Sequence, residues 1–315
     1  MTDRPDNDDF DSPAVFLAGP TGSGKSAVAI RLAQHLGRAE IVNADAFQIY
    51  RGLEILTAAP SLADREKVPH HLYGVLSPAD SCDAARFAEM AEAVVSEIAN
   101  RGAVPIVVGG GGLYLKALTH GLAPVPKGDP ALRGALDRLS LDDLVSWLRV
   151  IDPAGAAATN LKNRRYVTRN LEISLLGGVP ASVLKERFAR AAPRILGFQL
   201  QRERTDLHAR IDARVPEMIG DGVMAELKCL EASLLSETAA KAIGLREFHE
   251  VIRGRIALEE AIATVQQATR RYAKRQATWF RRETCLAPIA VAPDEAPDSV
   301  AARIAERIRA LKNNP

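Results

Sequence analysis

The sequence predicts an α/β fold: a P-loop NTPase-like parallel sheet core with a helical insertion domain. Two observations predict the core, because short apolar runs alternate with amphipathic stretches and the first run leads into a glycine-rich loop, GPTGSGKS. A third observation predicts the insertion, since residues 127–192 carry helical patterns with short polar joints and no strand-like run.

The apolar runs predict buried strands, because a strand covered by helices on both faces reads as a nearly continuous hydrophobic segment. Amphipathic patterns predict helices at 27–37, 84–100 and 299–312. The predicted strands are AVFLAG (14–19), AEIVNAD (39–45), AVPIVVGGGG (103–112), RILGFQL (194–200) and, at an edge, LAPIAVAP (286–293). The predicted organisation is a disordered tail (1–12), a first part of the core (13–126), the insertion (127–192), and a return to the core with C-terminal helices (193–315).

The composition is that of a globular protein with little net charge. Lys and Arg total 41 and Asp and Glu 39, which gives +2, so nucleic-acid binding would have to come from local clusters. No apolar run is long enough for a transmembrane helix, and the acidic N-terminus is unlike a signal peptide. Cys82, Cys229 and Cys285 match no metal-ligand spacing, and we expect a cytoplasmic protein with no membrane partner.

The glycine-rich loop fits G-x-x-x-x-G-K-[ST] at every position, with a predicted strand before it and a helix after it. Glycines let backbone N–H groups turn inward, and a helix N-terminus adds positive potential. Lys25 is predicted to neutralise phosphate oxygens, and the Ser26 hydroxyl to bind Mg²⁺. The predicted phosphate-binding residues are Gly19, Pro20, Thr21, Gly22, Ser23, Gly24, Lys25 and Ser26.

Asp45 lies at the carboxyl end of a predicted strand, where open α/β sheets bind their ligands. Three roles stay open on the residues alone. Asp45 holds Mg²⁺ through water, acts as a general base beside the phosphate loop, or caps the segment that follows it.

A basic helical stretch, TRRYAKRQATWFRR (269–282), separates into two faces at about 100° per residue. Its basic side chains fall within an arc of about 140°, and the apolar ones lie opposite. The basic face is either a solvated surface or a stripe that contacts phosphates. The insertion adds a second basic cluster at 162–169, and two such clusters suit an RNA read by its shape with one base extruded.

The stretch NADAFQIYRGLEILTAAP (43–60) resembles the segment that follows the second strand in the tRNA isopentenyltransferase (IPP transferase) family. The resemblance recurs in order over residues 13 to 283. The further matching segments are PHHLYGVLSP (69–78), VPIVVGGGGLYLKALTHGLAPVP (104–126), NRRYVTRNLEI (163–173), LHARIDARV (207–215) and YAKRQATWFRR (272–282).

The resemblance implies transfer of a dimethylallyl group from dimethylallyl diphosphate to tRNA. The acceptor would be the exocyclic amine of the adenosine 3′ to the anticodon, in tRNAs that read codons beginning with U. Residues 19–26 would then hold the departing diphosphate with Mg²⁺ on Ser26, Asp45 would take the amine proton, and Lys25 and Arg214 would stabilise the leaving group. We further expect a monomer.

The resemblance also implies a surface for the anticodon stem-loop. The implied tRNA-binding residues are Asp45, Ala46, Phe47, Gln48, Gly111, Arg133, Arg165, Tyr166, Val167, Thr168, Arg169, Lys241 and Arg246. Three of them depart from the family pattern: Ala46 stands where Ser is common, Gly111 where Thr is usual, and Tyr166 where Arg is frequent.

Three alternative functions are weighed against this one. An isopentenyltransferase acting on free adenylate would have little use for the insertion and the basic helix, and a P-loop small-molecule kinase would consume ATP. A non-catalytic tRNA-binding protein is disfavoured by intact Lys25, Ser26 and Asp45. We also expect Trp147 in the core of the insertion, His70–His71 in local packing or a hydrogen bond to substrate, and glycines 109–112 where a ligand or the RNA backbone approaches closely.

Overall fold

The computed structural model describes residues 13–186, 193–230 and 235–313, so the predicted tail (1–12) lies outside the described residues. The chain forms two compact units. The core unit comprises Met1–His120 and Ala192–Pro315, and the helical unit comprises Gly121–Ala191. The helical unit therefore interrupts the core unit in the sequence, and it begins six residues earlier than the predicted insertion at 127.

The core unit is built on a six-stranded sheet in which every strand pair is parallel. The strands are β1 (Val15–Ala18), β2 (Ala39–Asn43), β3 (His70–His71), β4 (Val104–Gly109), β5 (Leu196–Gln201) and β6 (Ala287–Ala290). Their order across the sheet is β3-β2-β4-β1-β5-β6. The five predicted strands are confirmed, with β6 at an edge as expected, and among the described residues the two-residue edge strand β3 is the one strand that was not predicted.

The helices fall in both units, with α5 to α9 in the helical unit and the others in the core unit. The described helices are α1 (Lys25–Leu36), α2 (Leu62–Lys67), α3 (Ala84–Asn100), α4 (Gly112–His120), α5 (Pro130–Asp137), α6 (Leu141–Ile151), α7 (Pro153–Ala158), α8 (Arg164–Gly177), α9 (Ala181–Glu186), α10 (Arg204–Gly220), α11 (Val223–Leu230), α12 (Leu245–Ile252), α13 (Leu258–Phe280) and α14 (Pro297–Asn313). None of them is long and apolar enough to cross a bilayer.

Central strand β1 is buried on both faces. Val15 and Leu17 pack in a hydrophobic cluster with residues of α1 and α14, while Phe16, only 2% exposed, points to the opposite face. Successive side chains of β1 point to opposite faces of the sheet, and both faces are buried. The segment VFLA is therefore apolar at every position instead of alternating with polar residues.

The parallel register aligns three strand ends that matter for function. Ala18 of β1 pairs with Gly109 of β4, and Asn43 of β2 pairs with Val108. The chain therefore leaves β1, β2 and β4 at one edge of the sheet, where the glycine-rich loop, Asp45 and the glycines after β4 meet.

The helical unit has its own small core. Leu136, Leu144, Leu148, Val167 and Leu171 are buried together, so α5, α6 and α8 pack on one another. Trp147 was expected in this core, and that expectation is wrong: its side chain is 38% exposed, because the buried face of α6 is centred on Leu144 and Leu148 and residue 147 lies at the border of that face.

Replacing Leu148 with Ala is expected to destabilise the helical unit by about 2–5 kcal/mol, because the truncation leaves a cavity in a fully packed site. Urea unfolding followed by Trp147 fluorescence, in a Trp279→Phe background, measures this change. Val150→Ala on the same helix is the matched control, since Val150 is 78% exposed. Equal effects of the two substitutions would contradict this account of the core.

Candidate active site

The glycine-rich loop forms a turn between β1 and α1 that leaves backbone donors facing a cleft. Gly24 precedes α1 with φ of 90°, a conformation that favours glycine. Lys25 Nζ donates to the Pro20 carbonyl at 2.9 Å, which folds the lysine back along the loop. The first-turn N–H groups of α1 have no intrahelical acceptors, and the residues that carry them line the cleft.

Three side chains hold this loop through hydrogen bonds to its backbone. Gln276 Oε1 accepts from the Thr21 N–H at 2.8 Å, while Nε of Arg210 and Nε of Arg202 donate to the carbonyls of Gly22 and Ser23 at 2.9 and 3.1 Å. These bonds occupy the outward-facing polar groups of the loop. Its geometry is therefore set by α10, α13 and the segment between β5 and α10 before any ligand binds.

Gln276 also joins the loop to the segment after β4. Its Nε2 donates to the Gly110 carbonyl at 2.8 Å, and the residue is only 6% exposed. Sequence reasoning missed Gln276 as a site residue, although a signal was present. It lies on the buried side of α13 between Ala273 and Phe280, and a polar residue on such a face needs buried partners.

Glycines 109–112 are needed because other parts of the protein pack against them. A Cβ at Gly109 would overlap the Ala44 backbone, one at Gly110 the Gln276 amide, and one at Gly112 the Trp279 ring. These three glycines are therefore required by internal packing. Gly109 also lines the cleft, so close approach of a ligand or RNA backbone to this strand end stays a prediction. At Gly111 a Cβ would lie 3.1 Å from the Ala44 carbonyl oxygen, so the side chain usual in the family would require a small displacement there.

Asp45 caps a turn and lines the cleft at the same time. Its N–H donates to Asn43 Oδ1 at 2.8 Å, and its Oδ1 accepts from the Phe47 N–H at 3.0 Å. Asn43 is fully buried and donates to the Leu72 carbonyl. Among the described residues Asp45 Oδ2 has no hydrogen-bond partner, so one oxygen orients the carboxylate and the other remains available.

The cleft has a volume of about 420 Å³ and brings together every predicted catalytic residue. Lys25, Asp45, Arg214 and the predicted metal ligand Ser26 all line it, although they come from three distant parts of the sequence. Thr21, Gly22 and Gly24 line it as well, whereas Gly19, Pro20 and Ser23 do not. Ser26 and Asp45 offer the oxygen donors that Mg²⁺ prefers.

The lining carries more positive than negative charge. Lys25, Arg210 and Arg214 oppose the carboxylates of Asp45 and Glu217, and the N-terminus of α1 adds to the positive side. Burial lowers the pKa of Lys25 to about 8; Asp45 opposes this shift and Arg214 adds to it. Burial also lowers the pKa of Arg214. A bound polyanion would relieve both costs.

Arg214 and Gln48 fix the wall of the cleft opposite the loop. Arg214 Nη2 donates to the Thr57 carbonyl at 3.1 Å, and Gln48 Nε2 donates to the carbonyls of Thr57 and Ala58 at 3.0 and 3.1 Å. Ala58 has φ of 46°, so this wall holds a strained non-glycine turn. The amide of Gln48 is thus structural, and its Oε1 is the atom left to face a ligand.

A smaller apolar cavity of about 70 Å³ adjoins the cleft at Asp45, Thr57 and Arg214. It was not predicted, because its walls come from α10, α13 and the segment after β2. Its mostly apolar lining residues are Phe47, Leu56, Ile211, Val215, Met218, Ile243, Val265, Thr269 and Tyr272.

In the helical unit, two predicted tRNA-binding arginines share one buried carboxylate. Arg133 and Arg169 pair with Glu172 at 3.0 and 2.6 Å, and the Glu172 side chain is 1% exposed. Burial raises the pKa of Glu172, but the two arginines outweigh this and lower it. Arg165 and Tyr166 are exposed beside this cluster.

Two other predictions on α8 are corrected. Val167 is fully buried in the core of the helical unit, and Thr168 is 6% exposed. Their side chains are therefore unavailable to RNA, since a helix that presents Arg165 and Tyr166 to solvent turns the next two residues inward. Ala46 and Phe47 are half-buried beside Asp45, and Lys241 and Arg246 are exposed.

The two faces predicted for the basic helix are confirmed. Arg271, Lys274 and Arg275 are exposed on α13, and Arg281 and Arg282 follow its end, while Val265, Ala273 and Phe280 are buried. Arg270 is instead paired with Asp212 of α10.

His70 and His71 form β3 away from the cleft. His71 Nε2 lies 2.6 Å from Glu40, which Arg101 also binds. The Arg101 hydrogen bond and, after it, His71 lower the pKa of Glu40 to about 2. His70 bonds to the Val68 carbonyl, so the two histidines serve packing at the sheet edge.

Comparison with known proteins identifies the family. The family model described as IPP transferase matches residues 48–283, which is well over half of the chain. The chain belongs to the IPP transferase family. This match confirms the family resemblance seen in the sequence. The six-stranded parallel sheet confirms the predicted fold class.

Individual IPP transferases agree along nearly the whole chain. The tRNA dimethylallyltransferase of Akkermansia muciniphila is 45% identical, over 93% of this chain and 99% of that protein. The crystal structure of the tRNA isopentenylpyrophosphate transferase from Bacillus halodurans is 31% identical, with a TM-score of 0.68 over 96% of this chain and 99% of that one. A eukaryotic dimethylallyltransferase, described as acting on tRNA, is 26% identical with a TM-score of 0.81, over 96% and 80% of the two chains.

Replacing Gln276 with Leu is expected to lower the free energy of unfolding by about 1–3 kcal/mol, because two buried groups lose their partner. We also expect weaker binding of inorganic pyrophosphate, since the glycine-rich loop loses one of the contacts that hold its geometry. Urea unfolding and calorimetric titration measure the two effects. Gln267→Leu, at an exposed position of the same helix, should change neither; pyrophosphate binding unaltered by Gln276→Leu would refute the positioning role.

The affinity for pyrophosphate is expected to fall as the pH rises from about 7 to about 9.5, by at most about tenfold per unit. In the protein without ligand, Lys25 loses its proton near pH 8. Above that pH, pyrophosphate binding must be accompanied by uptake of a proton to restore the cation, and this weakens the affinity. A Lys25→Arg variant keeps its charge and should lose this component of the pH dependence. Calorimetric titrations of both proteins across the range test this, and identical slopes would exclude titration of Lys25.

Proposed function

We propose that this IPP transferase moves a dimethylallyl group from dimethylallyl diphosphate to the exocyclic amine of the adenosine 3′ to the anticodon. The tRNAs would be those that read codons beginning with U. The observation that carries the proposal is the convergence of Lys25, Arg214 and the α1 N-terminus on one cleft that also contains the free oxygen of Asp45. Its family membership supports tRNA as the acceptor.

The cleft suits a diphosphate that leaves. In the transfer, the amine nitrogen bonds to the allylic carbon while the bond from that carbon to the diphosphate oxygen breaks, and the electron pair departs with the diphosphate. Negative charge grows on the leaving group, where Lys25 and Arg214 and the loop amides can stabilise it. The same groups pay no reorganisation cost, because Gln276, Arg202 and Arg210 already hold the loop.

Asp45 is placed for the remaining proton. The amine carries an excess proton once it has bonded to carbon, and a carboxylate oxygen without another partner can accept it. The Asp45 N–H donates to Asn43 and fixes the backbone, while Asp45 Oδ1 accepts from the Phe47 N–H and orients the carboxylate. Oδ2 is therefore the atom that would take the proton.

Ser26 and, through water, Asp45 are the residues that would hold Mg²⁺ beside the diphosphate. When bound, the ion supplies further charge neutralisation of the leaving group. The dimethylallyl chain would lie in the apolar cavity that adjoins Asp45, whose 70 Å³ suits a five-carbon chain better than a ten-carbon one.

The tRNA surface is proposed on each unit separately. In the core unit it comprises the exposed arginines and lysines of α13, with Lys241 and Arg246. In the helical unit it comprises Arg165, Tyr166 and the arginine pair that Glu172 orients. Tyr166 is 55% exposed, so it can stack on a base where family members often use an arginine.

We further propose that the enzyme is a cytoplasmic monomer. Cys82, Cys229 and Cys285 are all free thiols, which supports a reducing compartment.

The test of the activity is an Asp45→Asn variant offered labelled dimethylallyl diphosphate and Mg²⁺ with tRNA, with AMP, or with neither. Asparagine keeps the Oδ1 acceptor for Phe47 but removes the base, whereas alanine would also remove the turn cap. We expect the wild-type enzyme to label tRNA and the variant to lose about 10²–10⁴-fold in rate with tRNA affinity retained.

The matched control is Asp83→Asn, because Asp83 caps α3 in the same way outside the cleft. Its transfer rate should equal that of the wild type. Label in AMP would instead indicate an adenylate isopentenyltransferase. ATP turnover without transfer would indicate a kinase, and tRNA binding with neither reaction would indicate a binding protein.

A further inference from the structure

A second cluster of reactive side chains lies in the core unit outside the cleft and the apolar cavity. His120 ends α4, while Glu283 and Cys285 lie in the turn between α13 and β6. Their ligand atoms all fall within 4.8 Å of one another, and each residue is half-buried. None of the three lines either cavity near Asp45.

We propose that His120, Glu283 and Cys285 form a zinc-binding site. One imidazole nitrogen, one carboxylate oxygen and one thiolate sulfur are a ligand set that suits Zn²⁺ better than Mg²⁺ or Ca²⁺. Bonds of about 2.0–2.3 Å in a tetrahedron place ligand atoms about 3.3–3.8 Å apart, so the cluster needs only a small contraction. A water molecule would complete the coordination.

The hydrogen bonds around His120 fix the tautomer that a metal requires. The Thr119 hydroxyl donates its only proton to the Leu115 carbonyl at 3.0 Å, and Thr119 Oγ1 lies 2.8 Å from His120 Nδ1. The hydroxyl oxygen must therefore accept from Nδ1–H, which leaves Nε2 with a free lone pair. A metal-bound histidine usually has such a partner on its second nitrogen.

The charges in the cluster are compatible with a dication. Binding would displace the thiol proton into solvent, leaving a thiolate and a carboxylate against the two charges of Zn²⁺. Lys116, one turn before His120, is the cation that acts against this arrangement.

The position suggests what the metal does. It would join the end of α4 to the turn that follows α13, two helices already in contact at Gly112 and Trp279. Because α13 carries Gln276 and α4 starts in the glycine segment, the ion would stabilise the helix pair behind the glycine-rich loop without touching the reacting groups.

Co²⁺ is the spectroscopic probe for this site in the untagged, full-length chain with excess Mg²⁺. We expect one equivalent of Co²⁺ to give tetrahedral visible bands and a thiolate-to-cobalt charge-transfer band, both removed by one equivalent of Zn²⁺. Occupation of the oxygen ligands around Ser26 would give no charge-transfer band, so the two sites are distinguishable.

Cys285→Ser should lose the charge-transfer band, and Cys229→Ser, at an exposed thiol, should keep it. Thr119→Val should keep the band but weaken Zn²⁺ affinity by about 10–100-fold, since it removes only the partner of Nδ1. Circular dichroism checks that each variant is folded. The absence of a band in the wild type, or a band that survives Cys285→Ser, would overturn the site whatever the transferase activity of the protein.

Discussion

The amide of Gln276 is the contact on which the geometry of the active site depends. It accepts from Thr21 in the glycine-rich loop and donates to Gly110 after β4, so one side chain sets the spacing between two strand ends. Glycine is also required at positions 109 and 112, on either side of this contact, because Ala44 and Trp279 occupy the volume that a side chain there would fill. A phosphate loop held in this way has its N–H groups oriented before the ligand arrives, which is the condition for stabilising a leaving group without reorganisation.

Buried charge has a different role in each of the two units. In the cleft, buried Lys25 and Arg214 carry a desolvation cost that a diphosphate would offset. The same two cations therefore lower the stability of the fold without ligand and raise the affinity for an anion. In the helical unit, buried Glu172 instead neutralises part of the charge of Arg133 and Arg169 and fixes their orientation. The first arrangement favours binding a mobile anion, and the second holds two guanidinium groups in a fixed orientation.

Much of the site could be predicted from local pattern. The loop and Asp45 stand at recognisable positions, whereas Arg214 was implied by the family resemblance, and residues of all three line the cleft. What failed were statements about side-chain direction. Val167, Thr168 and Trp147 were placed by segment, but the face of a helix that is buried depends on where neighbouring helices pack. Gln276 was overlooked because its partners are 166 and 255 residues away in sequence.

The sequence by itself determined the fold class, the strand sites, the phosphate loop and the family, since all of these follow from periodicity and from contiguous motifs. Only the tertiary structure decided that the four glycines pack against the protein itself, that an apolar cavity adjoins Asp45, and that His120 meets Glu283 and Cys285. The reason is that each of these features depends on contacts between residues far apart in the chain. Spacing along one segment carries no information about which distant side chain fills the space beside it.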